Sequence, residues 1–308
     1  KYKKEAFEYY QKYFKPIEPF LSKKINHLKI IPNVNFGNLP FELLLSSTSK
    51  SNDYSKLPYL VKKYQFSYEL SSSISNIVDR NVSKSTTFSI FSPSFSSKVL
   101  NELKESNGES KKLAKLYKAK LVQGKNATIK TFSNHLENDR MVILLSHGRS
   151  SDDEVESNKG IYLSDGFLSL DKVYNLKANC DFLLLGACET GVGLKNKEGT
   201  INLARAFTAI GVKSMMLASW KIDEESSSQI ISSFLKYLNS GCTKSEALQK
   251  AKLDYLATAS PRMANPLYWA GLNIIGNNET ILLHQPNYWC WGLVLFVVIG
   301  IVVLYLKY

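Results

Sequence analysis

Met141-Val-Ile-Leu-Leu-Ser-His147-Gly148 and Phe182-Leu-Leu-Leu-Gly-Ala-Cys188-Glu-Thr-Gly191 decide how this chain folds. Each begins with an uncharged apolar run too short for a helix, the pattern of a strand buried on both faces. Each run then gives way to small and polar residues, one delivering a histidine and the other a cysteine. In an α/β sheet the reactive groups sit beyond the carboxyl ends of parallel strands. The pair therefore predicts a definite chemistry, thiolate attack on an acyl group with imidazole moving the proton.

Outward from these runs, strands and helices alternate. Strands are expected at Leu28–Ile31, Tyr64–Tyr68, Thr87–Phe91 (ended by Pro93) and Lys213–Trp220. Gly37–Pro40 reads as a turn into the apolar Phe41–Leu45. Helices are expected at Ser71–Asn81, Ile201–Ile210, Glu224–Leu238 and Lys244–Ala257. A lysine-rich helix is expected over Asn101–Leu121, broken near Asn107-Gly108, and an acidic loop over Ser150–Lys159. Such alternation predicts an α/β fold, a mainly parallel sheet flanked by helices.

Composition excludes several classes. With 44% hydrophobic and 21% charged residues in 308, the chain is suited to a globular core. Its net charge of +12 suits an anionic surface. There is no basic-and-aromatic module and no zinc-finger spacing, so nucleic acid is not an expected partner, and no metal or cofactor is called for. Cys180, Cys188, Cys242 and Cys290 form no C-x-x-C and no close ladder. They read as free thiols of a reducing compartment, placing the soluble part in the cytoplasm.

The carboxyl terminus carries a separate signal. Tyr288–Leu306 contains no charged residue, with Trp289 and Trp291 at one end and Tyr305 and Tyr308 at the other. As a helix it would rise about 28 Å, close to the roughly 30 Å hydrocarbon core, with aromatics at both interfaces. It is expected to be a transmembrane tail anchor, joined through a linker at 281–287.

Several ordered blocks, read together, resemble the CHAT domain, a caspase-like, separase-related module that often follows tetratricopeptide repeats. They are Ile31-Pro32 with Asn38–Leu45, Tyr64–Tyr68, Gly124–Thr128, Ser146–Gly148, Gly186–Gly191, Leu203–Phe207 with Gly211, Ser219-Trp220, Pro266–Ala270 and Gly276. The resemblance implies a degenerate caspase-like half over 1–84 and an active half over 85–280. It implies a catalytic dyad of His147 and Cys188 in a cysteine endopeptidase, with the backbone N–H groups of Gly148 and Cys188 as the oxyanion hole. It also implies a protein substrate laid along the edge of the Met215–Trp220 strand, and an upstream repeat module as regulator.

The chain departs from the family in having Gly186 where Ser is usual and Ser146 where Thr is usual. Relatives that cleave after Arg or Lys carry acids in the first pocket. Asp223 and Glu224 are the candidates here, although a helix cap and a first-turn acid read equally well. Trp220 either lines the groove or belongs to the core. Function is thus expected to be a membrane-tethered, caspase-like cysteine endopeptidase; the alternative is a catalytically silent scaffold of the same fold at a membrane.

Overall fold

The computed structural model describes residues 1–32, 39–71, 83, 85–95, 100, 102–149, 159–186 and 199–283. The strands are β1 (His27–Ile30), β2 (Gln65–Tyr68), β3 (Phe88–Pro93), β4 (Lys120–Gly124), β5 (Met141–Leu144), β6 (Gly148–Arg149), β7 (Gly160–Leu163), β8 (Gly166–Ser169), β9 (Phe182–Leu185), β10 (Ser214–Ala218) and β11 (Leu272–Gly276). The longer helices are α1 (Tyr2–Tyr9), α2 (Lys104–Tyr117), α3 (Ile129–Asn138), α4 (Gly199–Ala209), α5 (Glu224–Asn239) and α6 (Lys244–Thr258).

Eight strands make one mixed sheet in the order β1-β2-β11-β10-β9-β5-β3-β4. Only the β10–β11 pairing is antiparallel, so β1, β2 and β11 run one way and the other five run the opposite way. The mainly parallel sheet expected from the alternation is thus present. Both of its faces are covered, which explains the continuous apolar runs. Met141, Ile143, Phe182 and Leu184 point to the layer holding α2, α5 and α6, while Val142, Leu144, Leu183 and Leu185 point to the layer of α3 and α4. Successive residues alternate between two cores because the side-chain period of a strand is two. The strands of the first 84 residues join this sheet through β11, where Tyr68 pairs with Ile275.

Several expectations need correction. The helix expected over Asn101–Leu121 is the unbroken α2, and Asn107-Gly108 does not interrupt it. Gly108 faces open space, and a single exposed glycine costs only about 1 kcal/mol. Asn107 is held instead by its side chain, whose Oδ1 accepts from the Ser92 hydroxyl. The helix ends where Lys118 turns left-handed (φ 52°), and the next residues form β4, an edge strand missed because Lys118 and Lys120 read as helical surface.

The second correction concerns β10. It lies between β9 and β11, so Met215–Ala218 has no edge to offer a substrate. Beyond it, the Ser219 N–H already donates to the Gly271 carbonyl at 2.8 Å. The helix expected over Ser71–Asn81, beyond Ser71 itself, and the tail 288–306 lie outside the described residues. Among the described residues no helix is long and apolar enough to cross a membrane.

Two glycines of the ordered blocks are explained by backbone contact. Gly211 (φ +115°) and Gly276 (φ +90°) lie in conformations that L side chains rarely adopt. A Cβ would stand 2.2 Å from the Ala178 carbonyl oxygen at the first and 2.5 Å from that of Lys213 at the second. Both positions close the chain against the amino-terminal edge of the sheet.

Candidate functional site

β5 and β9 are adjacent and parallel, with Leu144 paired to Leu185. The Gly186 N–H continues the ladder, donating to the Leu144 carbonyl at 2.9 Å. His147 is three positions beyond Leu144, and Cys188 is three positions beyond Leu185. The two candidate residues therefore follow paired leucines of neighbouring strands at the same number of positions along the sequence. Cys188 lies outside the described residues; His147 and Gly148 lie within them.

The chain around His147 is fixed on both sides. Before it, Ser146 is fully buried and its hydroxyl donates to the Tyr162 carbonyl, while the Leu145 N–H donates to the Phe91 carbonyl at 2.9 Å. The His147 carbonyl accepts from the Tyr162 N–H at 2.9 Å. After it, Gly148 pairs with Ile161 in a small antiparallel sheet of β6, β7 and β8. The imidazole is half-buried and lies at a tilt against the Phe95 ring, with centroids 4.9 Å apart. Backbone pairing to β7 and ring contact with Phe95 together restrict where the imidazole can swing.

Neither the β6–β8 ribbon nor Phe95 is anticipated from the sequence. The ribbon had a signal: Gly160–Leu163 and Gly166–Ser169 flank Ser164-Asp165, and Asp165-Gly166 is a strong hairpin dipeptide. Asp165 also accepts from the Ile129 N–H at 2.8 Å, which ties the hairpin to the first turn of α3. Phe95 had no signal beyond its place after Pro93.

Asp223 caps α5, accepting from the Ser226 N–H at 3.0 Å and the Ser226 hydroxyl at 2.8 Å. Glu224 accepts from the Ser106 N–H at 2.9 Å and the Ser106 hydroxyl at 3.0 Å, joining α5 to the first turn of α2. Any contact with substrate would have to be shared with these ties. Trp220 is half-buried against Gly271, with its indole N–H donated to the Leu267 carbonyl at 2.9 Å. Cys180 and Cys242 are buried, and burial pushes the Cys180 thiol up to about 12, so it stays protonated.

The CHAT domain family model matches residues 3–277. This chain belongs to the CHAT domain family. A stretch of 125 residues, 41% of the chain, is 26% identical to human tetratricopeptide repeat protein 28 and 24% identical to its mouse counterpart. The match spans 5% of each of those proteins. Among solved structures, the CHAT domain is similar to the Saccharomyces cerevisiae separase–securin complex (TM-score 0.51, 14% identity, 74% of this chain and 15% of that one). It is also similar to the Arg-specific cysteine proteinase gingipain R (TM-score 0.54, 8% identity, 91% of this chain and 67% of that one). At such identities the likeness is one of fold, which is that of caspase-like cysteine peptidases.

Gly186, the CHAT position where Ser is usual, is constrained by its own neighbours. A Cβ there would stand 2.7 Å from Leu145 Cδ2 and 3.5 Å from Ile231 Cδ1. Gly186→Ser is therefore expected to destabilise by about 1–3 kcal/mol through overpacking. Because the colliding atom is the end of a side chain, Gly186→Ser should cost less in a Leu145→Ala background than in the wild type, although Leu145→Ala is itself destabilising. Urea unfolding of the two single variants and the double variant checks this; a Gly186→Ser protein as stable as wild type would refute it.

Proposed function

We propose that this CHAT domain is a membrane-tethered cysteine endopeptidase that cleaves a protein partner with His147 and Cys188, its active half spanning 85–280 and its degenerate half 1–84. The observation that supports the proposal is the pairing of Leu144 with Leu185 in β5 and β9, since His147 and Cys188 each follow three positions later in the sequence. The Cys188 thiolate attacks the scissile carbonyl, forming a C–S bond and a tetrahedral oxyanion. The N–H groups of Gly148 and Cys188 hold that oxyanion, a type of donor worth about 2.7–4 kcal/mol of transition-state stabilisation. Collapse breaks the C–N bond while His147 protonates the departing amine. Water activated by His147 then hydrolyses the thioester and frees the thiol.

The substrate's first side chain would meet Trp220, Asp223 or Glu224, and a basic residue there suits the two acids. The likeness to part of a tetratricopeptide repeat protein supports control by such a module. The apolar segment 288–306 supports tethering. The test is labelling with a peptide acyloxymethyl ketone. The wild type is expected to be labelled and Cys188→Ala to be blank while keeping its circular dichroism. Equal labelling of both, or none of the wild type with its activator present, would defeat the peptidase reading and leave a CHAT scaffold.

A further inference from the structure

The direction of the strands separates two edges of the sheet. His147 and Gly186 leave the carboxyl ends of β5 and β9, whereas Phe88, Lys120, Met141, Phe182 and Ser214 begin their strands at the opposite edge. Since β11 runs against β10, with Gly276 paired to Ser214, the chain leaves β11 at that opposite edge. There the Lys244 ammonium, buried within the fold, donates to the Asn277 and Glu279 carbonyls at 3.0 and 2.7 Å. These bonds direct the following residues across the underside of the sheet as far as Leu282 and Leu283, which line a cavity with the first residues of β3 and β4. The apolar tail begins shortly after, at Tyr288.

That cavity, about 450 Å³, has the chemistry of an anion site. Lys118, Lys120 and Arg140 line it together with Thr87, and no carboxylate does. Arg140 is steadied from behind, its Nε donating to Asp181 Oδ2 at 3.0 Å, and Asp181 is in turn neutralised by Lys213. Burial alone would raise the Asp181 carboxyl, but hydrogen bonds from Lys213, Ser83 and Arg140 outweigh it and hold the group below the usual carboxylate range. Lys118 and Lys120 are exposed, the first being the left-handed residue that ends α2 and the second the first residue of the edge strand β4.

We infer that the Lys118/Lys120/Arg140 cavity binds the phosphate of an anionic lipid headgroup, seating the amino-terminal edge of the sheet on the bilayer with the His147 edge turned away from it. The inference rests on the membrane-tethered reading above and adds orientation to it. A phosphate fits because two lysines and an arginine line one cavity with no carboxylate among its lining residues, and Arg presents paired donors that match phosphate oxygens. The lipid source is favoured over a free phosphate by place: two leucines of the tail-proximal segment form part of the same wall. About seven residues of extended chain, or roughly 20 Å, separate Arg140 from His147, so the peptidase edge would stand clear of the headgroups and open to a protein partner.

The experiment inserts the full chain into vesicles of phosphatidylcholine, with and without phosphatidylglycerol, and follows flotation and amide hydrogen exchange together. Flotation with both kinds of vesicle reports tail insertion; its failure would overturn the tethering, and this inference with it. With flotation established, exchange at Thr86–Phe88 and Tyr117–Lys120 is expected to slow about tenfold on adding phosphatidylglycerol at a level about tenfold above its dissociation constant. Lys118→Glu with Lys120→Glu should abolish that slowing and leave flotation unchanged, since both side chains are exposed. Unaltered exchange in floated protein would overturn the headgroup site. Equal slowing by inorganic phosphate without vesicles would overturn the lipid as its ligand.

Discussion

Lys252→Met is expected to lower the free energy of unfolding by about 3–5 kcal/mol, the usual cost of removing one partner from a buried ion pair. Lys252 in α6 and Glu42, in the turn after Pro40, are 1% and 4% exposed and meet at 2.8 Å. The second Glu42 oxygen accepts from the Tyr68 hydroxyl at 2.6 Å, and that hydroxyl accepts from the Phe41 N–H at 2.9 Å. Burial pushes the Lys252 ammonium below its ordinary pKa, with Glu42 opposing the shift. Burial followed by the Glu42 charge drives the Tyr68 phenol well above its ordinary value, so it remains a donor.

Removing the lysine would leave a carboxylate with one neutral partner in a site closed to water, which is why the penalty exceeds that of any surface pair on this chain. The pair joins the first 84 residues to α6, so the effect should appear as loss of the whole fold and not of a local segment. A double variant, Glu42→Gln with Lys252→Met, should recover part of the stability, because it keeps an acceptor for the Tyr68 hydroxyl and leaves no buried charge without its partner. Urea unfolding of the three proteins checks both points. A loss under about 1 kcal/mol for Lys252→Met would mean that water or relaxation serves the orphaned carboxylate.

The resemblance block Asn38–Leu45 contains Glu42, yet nothing in the sequence indicated that its partner would be Lys252. This contrast marks what was legible. Buried strands announce themselves, because a residue with a core on each side must be apolar whichever way it points; Met141–Leu144 and Phe182–Leu185 could hardly be anything else. Their pairing was also within reach, since the spacing of His147 and Cys188 equals the offset of the β5–β9 register. Edge elements were harder. β4 begins with an exposed lysine, Lys120, which fits a helix surface equally well. The position of β10 inside the sheet could not be read either, because it depends on β11, which arrives from far along the chain and runs antiparallel. Asp223 and Glu224 show the limit for the site: an acid after Ser219-Trp220 fits a first pocket or a helix cap, and only geometry reveals the hydrogen bonds to Ser226 and Ser106.

Replacing His147 by alanine is expected to cut kcat/KM for a cleaved peptide by about 10²–10⁴-fold, the range typical of losing a general acid–base group. The split between parameters should be informative. His147 touches the leaving amine and the deacylating water in the proposed mechanism and adds little to substrate binding, so kcat should fall while KM stays near its wild-type value. Gly148 and the backbone around it are held by pairing to β7 and by the Tyr162 N–H, none of which involves the imidazole. The variant should therefore fold, and its oxyanion donors should remain. Alkylation of Cys188 by iodoacetamide offers a readout independent of any substrate. With the imidazole gone, the reaction should need the higher pH at which an ordinary thiol, pKa about 8.5, ionises, whereas the wild type should react at neutral pH. Phe95→Ala would remove the ring that lies 4.9 Å from the imidazole. It should lower kcat less than His147→Ala does, because the imidazole would remain but wander. An unchanged alkylation profile in His147→Ala would separate the histidine from the thiol and refute the dyad, even if the equal step beyond Leu144 and Leu185 brings the two residues close.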